Sequence, residues 1–220
     1  MKKWLTHALL AGLLGLAPSI SSAAINTRES SPVDEPSLSA LETLWDFLDA
    51  PVRPLGVDVN EPWVHIDLLK RELVVYQGGI RIESIPYLAY GAAGSQAVRL
   101  RGSKQTPTGV FTIRRINRHS KFRLFFGLDY PTPQIAHQAW QDGILTDKDY
   151  RHYLSYRERY GVAPADTPLG GYIGIHGLGR SPLWIHQKRD WTAGCVAVTN
   201  AEILALNKWL GVGTKVVIRG

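Results

Sequence analysis

From Trp63 to Tyr90 the chain is written in short β-branched and aromatic runs, each closed by glycine, proline or a charged pair. Such runs are too short for helices and suit hairpins. Trp63-Val64-His65-Ile66-Asp67-Leu68 is the first, and Lys70-Arg71 turns it into Leu73-Val74-Val75-Tyr76. Gln77-Gly78-Gly79 turns again into Ile80–Ile85, and a fourth run, Tyr87–Tyr90, follows Pro86 and ends at Gly91. Thr106-Pro107-Thr108-Gly109 then leads into a strand, Val110–Ile113, and the aromatic stretch Phe122–Tyr130 is predicted to be extended. Strands resume at Gly171, and Thr214–Arg219 closes the series. Short strands in this number, with only two or three helices, predict a mainly β sandwich or barrel.

The helices are expected in three places. Ser39–Leu48 has a capping-box pattern (Ser39, Glu42) and an apolar stripe of Leu41, Leu44, Trp45 and Leu48. Ile135–Tyr160, notably Lys148–Tyr160, is polar and helix-compatible, and reads as a helical insertion over the β core: a lid or substrate wall, or an ordinary surface helix pair. A third helix runs from Asn200 or Ala201 to Leu210, with Asn200 as N-cap and Gly211 and Gly213 ending it.

The N-terminus reads as an export signal. Lys2 and Lys3 precede an apolar run, Leu5–Ala17, and small residues follow, with cleavage expected after Ala23. The run is shorter than the roughly 20 residues that span a bilayer; an uncleaved membrane anchor is the competing reading. The polar stretch Ile25–Pro36 reads as a tether, so the expected organisation is 1–23 signal peptide, 24–61 linker and helix, and 62–220 catalytic domain. The net charge is +6, or +4 once Lys2 and Lys3 are removed. That favours anionic polymers in general. No alternation of basic and aromatic residues, and no nucleic-acid motif, points to DNA or RNA.

In an exported chain a lone cysteine has no internal disulfide partner. Cys195 is therefore a buried inert residue, half of an intermolecular bridge, or a nucleophile. Gly194 before it permits unusual backbone angles and brings backbone N–H groups close to a developing oxyanion. Along Tyr172–His176 the alternation sends Ile173 and Ile175 to the core, and Tyr172, Gly174 and His176 to the other face. An imidazole within reach lowers a thiol pKa, so a catalytic Cys195 is expected to alkylate well below pH 8, and His176→Ala to abolish that. A metal site from His176, His186 and Cys195 matches no standard zinc spacing, and His186 reads as a surface residue or a support for its neighbours.

These residues together resemble the signature of the YkuD-type L,D-transpeptidase catalytic domains. His176-Gly177, a spacer reaching Trp191, and Thr192-Ala193-Gly194-Cys195 occur in the family's order, with Asn200 at its asparagine. Thr106-Pro107-Thr108-Gly109 with Phe111 resembles its threonine-proline-x-glycine turn, and the similarity spans roughly Pro62–Gly220. Two positions depart: Ala193 stands where the family often has histidine, and Ala197 where it often has arginine. This reduced form is similar to a branch that includes hydrolases.

The resemblance implies a cell-envelope enzyme, periplasmic here, with no cofactor and no metal, acting on peptidoglycan stem peptides. Cys195 would attack the L-centre of a diamino acid at its bond to D-alanine, forming a thioester. His176 would be the general base and Gly177 would orient it through its carbonyl. Gly194 and Cys195 would form the oxyanion hole, and Thr192, Tyr172, Trp191 and Arg99 would contact substrate. The acyl group would pass to an amine, of a second stem or of a wall-anchored protein, or to water, in a carboxypeptidase or in an amidase releasing a protein from the wall. A non-catalytic wall-binding domain is the remaining reading. Trp184 and Trp191 read as groove walls or as apolar loop anchors. Arg99, Arg101 and Lys104 read as a solvated basic loop or as partners for stem-peptide carboxylates.

Overall fold

The computed structural model describes residues 51–220. The expected signal peptide, the tether and the Ser39–Leu48 helix lie outside the described residues. Strands β1 (Trp63–Asp67), β2 (Glu72–Gln77) and β3 (Ile80–Ile85) form the antiparallel hairpins that the turn residues predict. They are followed by β4 (Ser95–Gln96), β5 (Thr106–Pro107), β6 (Gly109–Asn117) and β7 (Phe125–Leu128). Helices α1 (Pro133–Gln141) and α2 (Asp147–Tyr160) precede β8 (Gly174–His176). Then come α3 (Leu183–Lys188), β9 (Val196–Ala197), α4 (Asn200–Leu206) and β10 (Lys215–Arg219).

The fold is mainly β. Eight strands form one curled sheet in the order β3-β2-β1-β10-β6-β7-β8-β9, and β4 pairs with β5 apart from it. The last strand lies in the middle: β10 runs parallel to β1, with Val64 opposite Val216, and antiparallel to β6. Alternation along the strands sends Val64, Ile66, Leu73, Val75, Phe111 and Ile113 into one core. Each such side chain contributes about 1.5–3 kcal/mol by leaving water. The opposite face of β1 and β2 carries a smaller cluster, in which Trp63 stacks on Tyr76 with centroids 5.0 Å apart.

Four sequence expectations change. Tyr87–Tyr90 is not a strand; Ala89 alone makes a bridge, to Ala197 beside the cysteine. The Ile135–Tyr160 region is two capped helices and not a lid. Ala136, Ala139 and Tyr153 are wholly buried in the main core, and Tyr153 Oη donates to Pro131 O at 3.1 Å. Thr199, not Asn200, caps α4, in a capping box with Glu202, and the helix ends at Leu206 rather than Leu210. Helix α3 was not foreseen, because its six residues are too few to show a periodicity.

Candidate active site

Strand β8 places the imidazole. Ile173 and Ile175 enter the core, as the alternation predicts, and His176 faces the other way, 2% exposed. Its ring stacks on Phe122 (centroids 4.2 Å apart) and meets Trp191 edge-on at 6.0 Å. Nδ1 lies 2.7 Å from Gly177 O. A carbonyl only accepts, so Nδ1 carries the proton and Nε2 is the basic nitrogen. The turn after it is clasped by Asn200, whose Oδ1 accepts from Gly179 N at 2.8 Å and whose Nδ2 donates to Gly179 O at 2.9 Å.

Strand β9 places the thiol. It runs parallel to β8 with Ile175 opposite Val196 and His176 opposite Ala197. One step back, this register sets Cys195 beside Gly174, and the Gly174 N–H faces Sγ and favours the thiolate. Gly174 and His176 share a face of β8, so thiol and imidazole lie on adjacent strands, two residues apart along β8. Sγ itself donates to Tyr172 O at 3.4 Å. Tyr172 adopts a left-handed backbone, φ 58°, which turns that carbonyl towards the thiol.

The loop before the cysteine is tightly bound. Thr192 Oγ1 donates to Cys195 O at 2.6 Å and accepts from Gly194 N at 3.1 Å. The Gly194 N–H is thus engaged within the loop, whereas the Cys195 N–H has no acceptor among the described residues. Gly194 has φ 128°, closed to residues with a side chain, and a Cβ there would lie 2.8 Å from Arg99 Nη1. Upstream, Asp190 makes a two-point ion pair with Arg71, both contacts 2.8 Å, and accepts from Tyr90 N at 3.0 Å. Thr192 N donates to Tyr90 O at 3.1 Å, and Ala92 N to Thr192 O at 3.0 Å.

Arg99 is buried, 5% exposed, which corrects the solvated-loop reading. Its Nε and Nη2 donate to Leu100 O at 3.3 and 3.0 Å, and its guanidinium faces the Tyr130 ring at 6.0 Å. No carboxylate pairs with it among the described residues. Arg101, the next basic residue, holds Ala165 O at 2.7 Å. His186 is 1% exposed, not a surface residue, and lies edge-on to Tyr87 at 5.3 Å. Trp184 is 58% exposed, whereas Trp191 is half-buried with its ring edge-on to His176.

Burial sets the charge state of the pair. The Cys195 thiol is pushed up to about 11, because packing around Sγ withdraws it from bulk water although part of the residue is exposed; Gly174 N–H and Arg99 oppose this only partly. His176 is lowered by burial, which the Gly177 carbonyl only partly offsets. Both groups are neutral in the free protein at pH 7, contrary to the expectation of a thiol that alkylates well below pH 8.

Among the described residues no cluster of three His, Cys, Asp or Glu is gathered to hold a metal ion, and no helix is long and apolar enough to cross a membrane. The sequence motif names Cys195, His176, Gly177 and Thr192. It does not reveal the Arg71–Asp190 pair, or Phe122 and Phe125, whose rings stack on His176 with centroids 4.2 and 6.3 Å away.

The model of one protein family, the YkuD L,D-transpeptidase catalytic domain, matches residues 61–218. Comparison with curated proteins finds no match. Among solved structures, Bd1075 of Bdellovibrio bacteriovorus is 21% identical (TM-score 0.44), the match covering 73% of this chain and 48% of that one. The helical cell shape determining protein Pgp2 of Campylobacter jejuni is 17% identical (TM-score 0.47), with 74% and 51% covered. An L,D-transpeptidase of Xylanimonas cellulosilytica is 18% identical (TM-score 0.42), with 81% and 69% covered. The matched part of this chain spans about half the length of the first two.

Proposed function

The chain belongs to the YkuD L,D-transpeptidase catalytic domain family, and from that premise we propose that it is an exported, periplasmic cysteine acyltransferase acting on peptidoglycan stem peptides. The observation that carries this reading is the pairing of β8 and β9. That register supports it by putting Cys195 level with Gly174, two residues along β8 from an imidazole whose Nδ1 lies 2.7 Å from Gly177 O, which leaves Nε2 as the basic nitrogen.

In this reading Nε2 of His176 takes the Sγ proton as Cys195 attacks the carbonyl between the diamino acid and D-alanine. The Cys195 N–H donates to the oxyanion; the Gly194 N–H joins it once Thr192 Oγ1 releases it. The C–N bond breaks, the imidazolium protonates the departing amine, and a thioester remains. An acceptor amine then attacks the thioester, releasing Sγ. Trp191 and Phe122 hold the imidazole plane, and Arg99 supplies positive charge behind Gly194 and Cys195.

Hydrolysis is the second reading, with water in place of the amine. Ala193 favours it: an exposed alanine stands two residues before the cysteine where the family often has histidine, so that side-chain donor is missing from the loop. Incubation with defined muropeptides, read by mass spectrometry against a Cys195→Ala control, decides between them. Cross-linked dimers with free D-alanine mark a transpeptidase. Shortened monomers alone mark a carboxypeptidase, and release of a peptide-linked protein marks an amidase. No Cys195-dependent change in any substrate would remove the enzyme reading.

A further inference from the structure

A cavity of about 130 Å³ lies between β6, β7, the Gly171–Ile173 approach to β8 and the Val162–Ala165 segment that follows α2. A whole small-molecule ligand takes about 300–1,000 Å³, so this is room for one side group. Tyr172 joins the cavity to the thiol: the residue lines it, and its carbonyl accepts from Sγ at 3.4 Å.

The cavity is apolar at Leu128, Val162 and Ile173, and it is positively charged. Its one acid, Asp129, is held at both oxygens by Arg157, at 2.9 and 2.6 Å, with Arg114 Nε 3.7 Å away. Arg115 has no carboxylate partner among the described residues. Its guanidinium sits 5.6 Å from the Phe125 ring and 5.5 Å from the Tyr172 ring. The far wall is fixed. Gly171 lies so close to Ala165 that a Cβ would come within 2.8 Å of the alanine Cβ, and Arg101 grips Ala165 O at 2.7 Å.

Its place relative to the reaction follows from the strand register. The thiol is level with Gly174; His176 is two residues further along and Tyr172 two residues back. The leaving amine must sit where the imidazole can protonate it. The leaving half of a peptide donor therefore points towards His176, and the acyl half towards Tyr172 and the cavity.

We propose that this cavity is a subsite for a carboxylate on the acyl half of the donor, held by Arg115 with Arg114 behind it. The carboxylate has two sources, the side chain of the attacked diamino acid and the acidic residue that precedes it. The proposal rests on the peptide-donor reading above.

The test is calorimetric binding of a diaminopimelate stem tetrapeptide to the Cys195→Ala protein, with and without Arg115→Gln, beside turnover by the Cys195 protein. Removing a charge-assisted hydrogen bond is expected to weaken binding roughly tenfold or more. Three altered peptides locate the contact: lysine in place of diaminopimelate, a carboxamide on the preceding residue, and a carboxamide on the terminal D-alanine. With one of the first two, Arg115→Gln should have no further effect, and the one that behaves so names the source. Loss of the Arg115 effect with the third peptide, an equal effect with every peptide, or no binding at all overturns the subsite. Arg115-coupled binding without turnover leaves the subsite standing and removes the enzyme reading; turnover without coupling does the reverse.

Discussion

Around Cys195, burial pushes the thiol up to about 11, and around His176 it lowers the imidazole, so the free protein holds a neutral pair at pH 7. Under the proposed mechanism the proton would move only once a substrate carbonyl is in place to take the thiolate's charge. Cys195 is the lone cysteine, so alkylation reports on it alone. Reaction with iodoacetamide is expected to rise about tenfold per pH unit from 7 to 10, following the thiolate fraction. A plateau by pH 8 would mean an ion pair in the free protein. Arg99 is the cation packed against Gly194, and Arg99→Gln is expected to slow alkylation at pH 8 by roughly three- to tenfold. Arg99→Lys, which keeps the charge, should restore most of the rate; equal slowing by both variants would show that packing, not charge, is what Arg99 supplies.

Among the elements, two helical stretches were legible from composition and apolar stripes, but their N-caps were not. Thr146-x-x-Asp149 and Thr199-x-x-Glu202 both form complete capping boxes. Removing either box with Thr146→Ala or Thr199→Ala should cost about 1 kcal/mol in urea unfolding. The two should separate in function. Thr146→Ala leaves the thiol loop untouched, while Thr199→Ala loosens the helix that carries Asn200 and so the Gly179 turn after His176. The hairpins were equally readable, because period-two alternation and glycine turns are local. Arg71 with Asp190 was not, since the pair joins residues 119 positions apart. The burial of Arg99 was hidden for the same reason: a basic loop looks solvated until Tyr130 and Gly194 are brought against it. The His176-to-Cys195 spacing carried meaning only through the family signature; the register of β8 and β9 supplies the reason for it.

At the scale of the molecule, three histidines among the described residues have pKa values lowered mainly by burial: His65, His176 and His186. An unfolded chain takes up protons at these positions below pH 6.5, and the folded one resists. Unfolding therefore gains protons, and stability falls as pH drops from 6.5 towards the lowered folded values. Urea midpoints should decrease between pH 7 and pH 5. His65→Gln, away from the active site, should reduce the slope; an unchanged slope would assign the loss to other groups.

The position of β10 between β1 and β6 bears on how such a chain is made. Until Lys215–Arg219 have left the ribosome, the sheet has two halves and an open gap, with the β1 hairpins on one side and β6–β9 on the other. Contacts between segments so distant in sequence form late and slowly. The hairpins of each half can pair as they emerge, but the halves are joined into one sheet only when β10 is available to fill the gap.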